Sequence, residues 1–339
     1  MLINILRADI SAHNEQIAGG RRWVRKTISL FFKLLVSAAI LFVLFKLVPY
    51  KELIEVYKKS QKLYIYLSFL VFILTFVISI FRWQFLLHAL GVKVSTKDAF
   101  SSTFSGLFFN LIFPSFVAGD IFRGFSISTH HGEAKKVASS VLMDRYSGAI
   151  ALVLVAFFSY MFGRRIFREQ EVALSLGLLC LVIGIASCVI FSKRFFSFLL
   201  KIFGKNHSLK NKLVEFHDHL YFFRKNPSIF LKSMYFSLPI QLLTPLMFYV
   251  GSKAFGLHVS MLYFFILVPI IMMIALIPIT IAGAGTREAA SIYFFALIGV
   301  DKTIGLGLSL LNLAFTIFVG LLGGLFYVTV YHRRLQSRL

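Results

Sequence analysis

The sequence has few acidic residues and only two cysteines. Asp and Glu together number 14 against 36 Lys and Arg, which gives a formal net charge of +22. Cys180 and Cys188 lie eight residues apart on one predicted helix, so they are about 12 Å apart along its axis, too far to form a disulfide bond. The two cysteines therefore exclude a disulfide scaffold and indicate no redox or metal site.

The sequence also lacks the motifs of common enzymes. It contains no GxSxG, HExxH, CxxC or phosphate-binding loop. The longest stretch outside the predicted membrane segments, 192–227, has about 36 residues and is too short to fold alone without disulfides or a metal. The run of His130, His131 and Glu133 has no further ligands at metal-binding spacing and predicts a cluster at headgroup level. We therefore expect no enzyme, no cofactor and no metal site.

Apolar residues dominate the composition. Hydrophobic residues make up 58% of the chain and charged residues only 15%, with a mean hydropathy of +0.82. A soluble chain of 339 residues would be far more polar, so the composition predicts a polytopic membrane protein. The basic residues lie in short connections between apolar stretches, which is typical of membrane orientation and argues against a nucleic-acid partner.

A motif of the form PxxxAGxxxR occurs once in each half of the chain. The copies begin at Pro114 and at Pro278, an offset of 164 residues. Four upstream matches occur at an offset of 165, between Ala89, Gly91, Val94 and Ser95 and Ala254, Gly256, Val259 and Ser260. The chain is therefore interpreted as an internal duplication.

The apolar stretches predict an all-α polytopic membrane protein with six full spans and two re-entrant broken-helix hairpins, eight hydrophobic segments in all. A first span is predicted over 28–48 and a middle span over 172–191. Each repeat has a long helix, an apolar stretch broken at the proline, a short segment and a second long helix. In repeat one (about 63–162) these are 63–90, 99–113, a segment to about 128, and 137–162; in repeat two (about 228–331) they are 230–256, 261–277, 286–297 and 304–330. The pieces beside each proline, roughly 12 to 17 residues long, are short for two full crossings, which predicts hairpins.

The predicted crossings also set the orientation. Three crossings precede repeat two, so the second repeat is predicted to be inverted and both termini to lie on one side. The predicted cytoplasmic segments, with Arg82 counted in the segment 82–98, hold 21 Lys and Arg, and the predicted outer segments hold nine. The positive-inside rule then predicts a cytoplasmic (inner) membrane protein with a cytoplasmic N-terminal segment, 1–27, a membrane domain, 28–332, and a cytoplasmic tail, 333–339.

The basic connection between the repeats, 192–227, mixes bulky apolar residues with eight Lys and Arg. One interpretation is one or two amphipathic helices that lie on an anionic inner leaflet. The other is a solvated basic loop that fixes orientation. Both interpretations place this connection on the cytoplasmic side.

The last helix carries a GxxxG pair, Gly320 and Gly324. Small residues at this spacing let two helix backbones approach closely. The pair predicts close helix packing rather than a specific dimer.

The two broken helices predict an anion-binding site. A helix that starts inside the membrane exposes unpaired backbone N–H groups and the positive end of its dipole. Ser115 and Thr280 can cap such a helix or bind a ligand oxygen, and the glycines of each turn allow a close approach of the backbone; these are Gly119, Gly283 and Gly285. Two such ends that enter from opposite faces would meet near the midplane, as in secondary transporters.

The ionisable residues of these regions nearly balance. Arg123 and Arg287 are the candidate phosphate contacts, since a guanidinium suits bidentate recognition of phosphate. Their candidate exchange partners are Asp120, Asp144 and Glu288, with Arg145 in support. The alternative is a set of structural ion pairs that fix the hairpins to the bundle, because buried charges are normally paired. The two interpretations are compatible in different states of one cycle.

At these residues the sequence resembles the transmembrane-region family of lysylphosphatidylglycerol synthetases, which are flippase-like membrane proteins. The similarity rests on Asn110 to Pro114 followed by Gly119, Asp120 and Arg123, on Met143-Asp144-Arg145, and on Ile277 to Glu288. The resemblance covers roughly residues 25 to 332 and implies an eight-segment membrane domain associated with moving lipids. It adds Asn110 to the candidate site. The soluble aminoacyl-transfer domain of full-length synthetases has no counterpart here, so lysyl transfer is not predicted.

Two hypotheses follow for the function. The first is a flippase-like transporter that moves an anionic or phosphate-bearing lipid across the membrane along the two hairpins. The alternative is a non-transporting, lipid-binding membrane partner of a lipid- or glycan-modifying enzyme. An intramembrane transferase is a weaker third option, because no nucleophile and base stand out.

Overall fold

In the computed structural model of the chain, the structure describes residues 42–43, 46, 48, 50–113, 118–163, 170–203, 214, 220–276, 280 and 283–331. These residues form helices and connections and contain no strand, which confirms the all-α prediction. The N-terminal segment, most of the predicted first span, the C-terminal tail and three candidate turn residues lie outside this part of the chain. The three are Pro114, Ser115 and Pro278.

Eleven α-helices are described, numbered here in chain order. They are α1 (Tyr50–Lys59), α2 (Lys62–Ala89), α3 (Thr96–Ile112), α4 (Ala118–His131), α5 (Ala134–Gly163), α6 (Gln170–Phe191), α7 (Lys193–Phe203), α8 (Pro227–Ala254), α9 (Met261–Ala275), α10 (Thr286–Ala296) and α11 (Lys302–Phe326). A short π-helix, Tyr327–Tyr331, continues α11. The long helices begin and end within a few residues of their predicted positions.

Five of the described helices are long and apolar enough to cross a membrane, namely α2, α5, α6, α8 and α11 with its extension to Thr329. The shortest, α6, has 22 residues, about 33 Å at 1.5 Å per residue, which matches a hydrocarbon core of about 30 Å. The chain is therefore a multi-pass membrane protein. The sixth predicted span, 28–48, is mostly outside the described residues.

Local sequence signals explain several helix starts. The Ser95 hydroxyl accepts a hydrogen bond from the Asp98 backbone N–H at 3.1 Å and caps α3. Asp301 accepts from the Thr303 N–H at 2.7 Å and caps α11. Side chains of this kind satisfy donors that a helix leaves free at its first turn. The caps mark the start of α3, the first arm of the first hairpin, and of α11, the helix after the second hairpin.

Six of the described helices are too short to span, and four of them lie beside the two breaks. In repeat one, α3 and α4 contact each other on either side of the first break, and in repeat two α9 and α10 do so on either side of the second. Their lengths are 17, 14, 15 and 11 residues. Each pair has the two-arm arrangement that the sequence predicted for a hairpin.

The first helices of the two repeats, α2 and α8, form the most extensive helix contact in the described structure. The Gln61 N–H donates to the Ala254 carbonyl at 2.9 Å, and the Ser68 hydroxyl donates to the Met247 carbonyl at 2.9 Å. At the other end, Arg82 reaches Ser237 at 3.2 Å. The start of α2 thus lies beside the end of α8, so the two helices are antiparallel.

Other contacts also join one repeat to the other. Helix α3 packs against α11, and α5 packs against α9, which is the corresponding pair. Gly320, Gly323 and Gly324 of α11 lie so close to α3 that an added Cβ would meet Leu111, the Phe104 carbonyl and Phe108 respectively. This contact confirms the close packing predicted for the GxxxG pair. Inversion of the whole repeat stays a prediction, which the antiparallel α2 and α8 support.

Three features differ from the sequence expectation or add to it. Helix α1 was not predicted, and its Tyr57 hydroxyl donates to the Gly307 carbonyl of α11 at 2.6 Å. Arg82 was counted with a cytoplasmic connection, yet it lies inside α2 and is buried, so its charge does not belong to that connection. Helix α7 shows that the basic connection contains a helix, and its contact with lipid stays a prediction.

Candidate functional site

A network of five charged side chains, four of them buried, lies where α2, α4 and α5 meet, and we name it cluster one. Its members are Arg82, Asp120, Arg123, Asp144 and Arg145. Asp144 accepts from the Nε of Arg82 at 2.6 Å and from Nη2 of Arg123 at 2.8 Å. Asp120 accepts from Nη2 of Arg123 at 3.0 Å and from Nε of Arg145 at 2.6 Å. The three arginines and two aspartates carry a net charge of +1.

Each charge of cluster one is positioned by its helix. Asp120 and Arg123 are three residues apart on α4, so both point to one side of that helix. The Arg123 guanidinium also lies over the Trp83 ring, 4.5 Å from its centroid, and the Trp83 Nε1–H donates to Ser140 at 3.1 Å. The opposing carboxylates and the indole face therefore hold Arg123 in a buried position.

A cavity of about 190 Å³ lies beside cluster one. All five charged residues line it, together with residues of α2, α3 and the start of α4: Phe76, Ser79, Thr103, Gly106, Leu107, Asn110 and Gly119. The side chain of Arg145 is 47% exposed, whereas that of Arg123 is 7% exposed. The cavity therefore reaches from a partly open edge at Arg145 to a buried guanidinium.

Two polar atoms of this cavity's lining are buried without a hydrogen-bond partner among the described residues. They are the Nε of Arg123 and the Oγ1 of Thr103. A buried polar group without a partner costs free energy, so most such groups in proteins are paired. Both side chains can donate a hydrogen bond, and a ligand oxygen would satisfy them.

The turn of the first hairpin is held by Asn110. Its Oδ1 accepts from the Gly119 backbone N–H at 2.6 Å, and that N–H belongs to the first turn of α4. A Cβ on Gly119 would collide with the Gly106 carbonyl and with Asn110 itself, so only glycine permits this contact between α3 and α4. Asn110 and Gly119 thus shape one wall of the cavity. The candidate Ser115 lies outside the described residues.

A second buried network, cluster two, surrounds the predicted arginine of repeat two. It consists of Arg287 and Glu288 on α10 and Ser309 and Asn312 on α11. Nη2 of Arg287 lies 2.6 Å from Oε1 of Glu288, and Nη1 donates to Asn312 at 3.2 Å. The other Glu288 oxygen accepts from the Gly285 N–H at 2.7 Å. A carboxylate of the chain itself therefore occupies the positive end of α10, and the ion pair is neutral.

The remaining candidates of repeat two stabilise the turn before α10. Gly283 and Gly285 have φ angles of 71° and 94°, which favour glycine because other residues are strained there. The Thr280 and Thr286 hydroxyl oxygens lie 3.0 Å apart. Thr280 is buried, and its hydrogen bond joins the two sides of the turn.

Comparison with known proteins agrees with this architecture. The model of the family described as "Lysylphosphatidylglycerol synthase TM region" matches residues 30–324. The chain belongs to this family. It is also 25% identical over 300 residues to a UPF0104 membrane protein of Methanocaldococcus jannaschii, an alignment that covers 82% of this chain and 88% of that protein. No solved structure matches the chain. The match confirms the resemblance found in the sequence.

In this family member the two clusters do not form one site. Cluster one contains Arg82, which donates to Ser237 of α8. Cluster two contacts Met247 of α8, whose carbonyl accepts from Ser68 of α2. Along α2 and α8 these positions are 14 and 10 residues apart, roughly 15 to 21 Å at 1.5 Å per residue. The structure therefore separates the two arginines into opposite halves of the helix pair, and the expected single site at the midplane is not formed.

Two residues of the site were missed by sequence reasoning. Arg82 stands seven residues before the end of a long apolar helix, and an arginine at that depth is itself a signal of a buried partner. Thr103 gave no signal, because a single threonine in an apolar helix usually bonds to its own backbone. Its importance is visible only once α3 is placed beside Arg123.

Proposed function

We propose that the protein binds the phosphate-bearing headgroup of an anionic lipid at cluster one and moves that lipid across the cytoplasmic membrane. The observation that carries this proposal is a pair of buried atoms, Arg123 Nε and Thr103 Oγ1, which have no partner among the described residues and belong to a cavity lined by three arginines. A phosphate oxygen accepts hydrogen bonds from both groups and is attracted by the excess charge. No reacting group of the chain is needed for this function, so we propose a transporter and not an enzyme.

The depth of cluster one suits a lipid in transit. Arg82 lies seven residues from the end of α2, about 10 Å along the helix axis. A headgroup held there is below the interface, in the half of the membrane next to the connections around residues 90–95 and 132–133. Those connections are predicted to be cytoplasmic, so the proposed site belongs to the inner half of the bilayer, with both termini on the same side.

The two aspartates give the arginines a partner when no lipid is present. In the described state Asp120 and Asp144 accept from all three guanidinium groups, so no arginine remains as an isolated charge at membrane depth, which would be costly. When a phosphate enters, it satisfies the remaining donors and shares the arginines with the aspartates. Binding then replaces an unsatisfied donor by a charge-assisted hydrogen bond, which stabilises the bound state.

In this proposal cluster two has a structural role and does not bind the lipid. Arg287 is engaged by Glu288, Ser309 and Asn312, and Glu288 also closes the N-terminal end of α10. Such a neutral, fully paired network favours the structural ion pair that the sequence left as an alternative. We therefore assign to cluster two the fixing of the second hairpin against α11. Phosphate contact by Arg287 stays a prediction that an Arg287→Lys variant tests.

The proposal is tested by reconstitution of the purified protein in liposomes with a fluorescent phospholipid. We expect the labelled lipid to exchange between leaflets faster than in protein-free liposomes. Lipid that binds to the protein but does not cross would contradict transport. That result would favour the alternative, a lipid-binding partner of a lipid- or glycan-modifying enzyme.

A further inference from the structure

We infer that cluster one selects a small headgroup with a single negative charge and rejects headgroups that carry an added amine. This inference rests on the proposed function and specifies the substrate class. Its basis is the charge balance, the hydrogen-bonding capacity and the volume of the cavity at cluster one. The first two exclude headgroups that carry an amine, and the third excludes bulky headgroups.

The charge balance favours a monoanion. Five of the cavity-lining residues are ionisable, and the three arginines exceed the two aspartates by one positive charge. A phosphodiester headgroup with one negative charge makes the occupied cavity neutral. A zwitterionic headgroup leaves the excess charge uncompensated, and a headgroup of net positive charge adds to it in a low-dielectric site, where like charges repel strongly.

The hydrogen-bonding capacity points the same way. All four carboxylate oxygens of Asp120 and Asp144 already accept from arginines at 2.6 to 3.0 Å. The Asn110 Oδ1 accepts from the Gly119 N–H. Of the two unpartnered buried atoms, the Arg123 Nε can only donate, whereas the Thr103 hydroxyl can donate or accept. An ammonium group entering the cavity would compete with arginines for carboxylates, whereas a phosphate oxygen meets vacant donors.

The volume limits how much of the headgroup fits beside the buried Arg123, below the partly open edge at Arg145. At roughly 30 Å³ per water molecule, a cavity of about 190 Å³ holds about six waters. A phosphate with its glycerol group is of similar size. An aminoacyl group attached to that glycerol would roughly double the volume that the site must enclose. Phe76 and Leu107 form the apolar part of the lining and offer the added amine no acceptor on their side chains.

The experiment measures binding of three probe lipids to the purified full chain: phosphatidylglycerol, phosphatidylethanolamine and lysyl-phosphatidylglycerol. The first carries one negative charge, the second is zwitterionic and the third carries a net positive charge. We expect phosphatidylglycerol to bind at least about tenfold more tightly than either of the others, because one charge-assisted contact accounts for a difference in affinity of that size. Equal binding of all three would overturn the inference and leave lipid binding intact.

A pair of variants tests the site itself. Thr103→Val removes the unpartnered hydroxyl and is expected to weaken phosphatidylglycerol binding about three- to tenfold, while the melting temperature stays the same or rises, since an unsatisfied group is removed. Ser105→Ala is the matched control, because its Oγ is also buried and unpartnered among the described residues but does not line the cavity. Equal affinities of the wild type, Thr103→Val and Ser105→Ala would contradict the assignment.

Two further results distinguish a lipid phosphate from a soluble phosphate ester, and failure of the headgroup preference from failure of the proposed lipid binding. Soluble glycerol phosphate at the same concentration is expected not to displace phosphatidylglycerol, whose acyl chains stay in the bilayer. Full displacement would assign the cavity to a soluble phosphate ester and contradict the lipid part of the proposed function. The preference for a single negative charge would still hold. Failure of all three lipids to bind would overturn both.

Discussion

Arg82 of α2 and Asp144 of α5 stand 62 residues apart in the sequence and form a buried ion pair, with Nε 2.6 Å from Oδ1. The pair joins the first and last helices of repeat one, and Arg82 also reaches Ser237 of α8 in repeat two at 3.2 Å. A single guanidinium thus links three membrane-spanning helices. The hairpin that carries Arg123 is attached to the bundle through the same carboxylate.

Removal of the shared carboxylate is expected to destabilise the protein. Asp144→Asn leaves Arg82 without its charged partner and weakens the hold on Arg123, so we expect a loss of about 3 to 5 kcal/mol in the free energy of unfolding. Thermal unfolding in detergent measures the change. The control is Glu55→Gln in the exposed Lys59–Glu55 pair, where we expect a change within about 0.5 kcal/mol. Similar melting temperatures for both variants would show that the buried pair is not a structural link.

The glycine contact between α11 and α3 is a second determinant of stability. A Cβ on Gly323 would meet the Phe104 backbone carbonyl, whereas a Cβ on Gly184 of α6 meets nothing within 4 Å. We expect Gly323→Ala to lower the free energy of unfolding by about 1 to 3 kcal/mol, because backbone cannot move aside as a side chain can. Gly184→Ala is expected to be neutral or stabilising by up to about 1 kcal/mol. A Gly323→Ala variant as stable as the wild type would disprove the close contact.

Long helices and local signals could be predicted from the sequence, and the charge network could not. Helix α2 was expected over 63–90 and is found at Lys62–Ala89, since the length of an apolar stretch is a local property. The pairing of Asp144 with Arg82 depends on how two helices rotate against each other, which no local pattern encodes. For the same reason Arg82, although inside the predicted helix 63–90, was counted with the cytoplasmic charges, and Thr103 was not found.

The two hairpins show the same limit of prediction from the sequence. Asp120 lies inside the first copy of the motif and Glu288 directly follows the second, and the structure contains an ion pair between each carboxylate and its arginine. The motif could not show that the repeats differ, because the difference lies in the surroundings. Glu288 is adjacent to Arg287 and turns back to cap its own helix, whereas Asp120 is shared with Arg145 of another helix. Of the two described networks, only cluster one therefore keeps a buried donor without a partner, the Arg123 Nε.

Cluster two is predicted to matter for folding and not for lipid affinity. Glu288→Gln removes the charge that neutralises Arg287 while an oxygen can still accept from the Gly285 N–H, so we expect a loss of about 3 to 5 kcal/mol in the free energy of unfolding. The affinity of the folded fraction for phosphatidylglycerol should be unchanged. Unfolding and lipid binding are measured on one preparation. A variant with normal stability and reduced lipid affinity would instead place the lipid at cluster two.

The orientation can be tested with single cysteines in a background that lacks Cys180 and Cys188, both of which are exposed. Asn14→Cys, Asn206→Cys and Ser337→Cys are expected to react only with reagents that reach the cytoplasm. Lys302→Cys, at the start of α11, is expected to react from outside. If Asn206→Cys and Lys302→Cys report the same side, the inverted six-span topology is wrong.

The most direct measurement of the central claim compares lipid movement by Arg123→Lys and Arg287→Lys in liposomes, corrected for the folded fraction. Both variants keep the charge but lose the planar fork that binds phosphate. Because the unpartnered Nε and the cavity belong to Arg123, we predict that Arg123→Lys slows transport about tenfold or more, as expected for one lost charge-assisted contact, while Arg287→Lys transports at nearly the wild-type rate. Wild-type transport by Arg123→Lys would contradict the account.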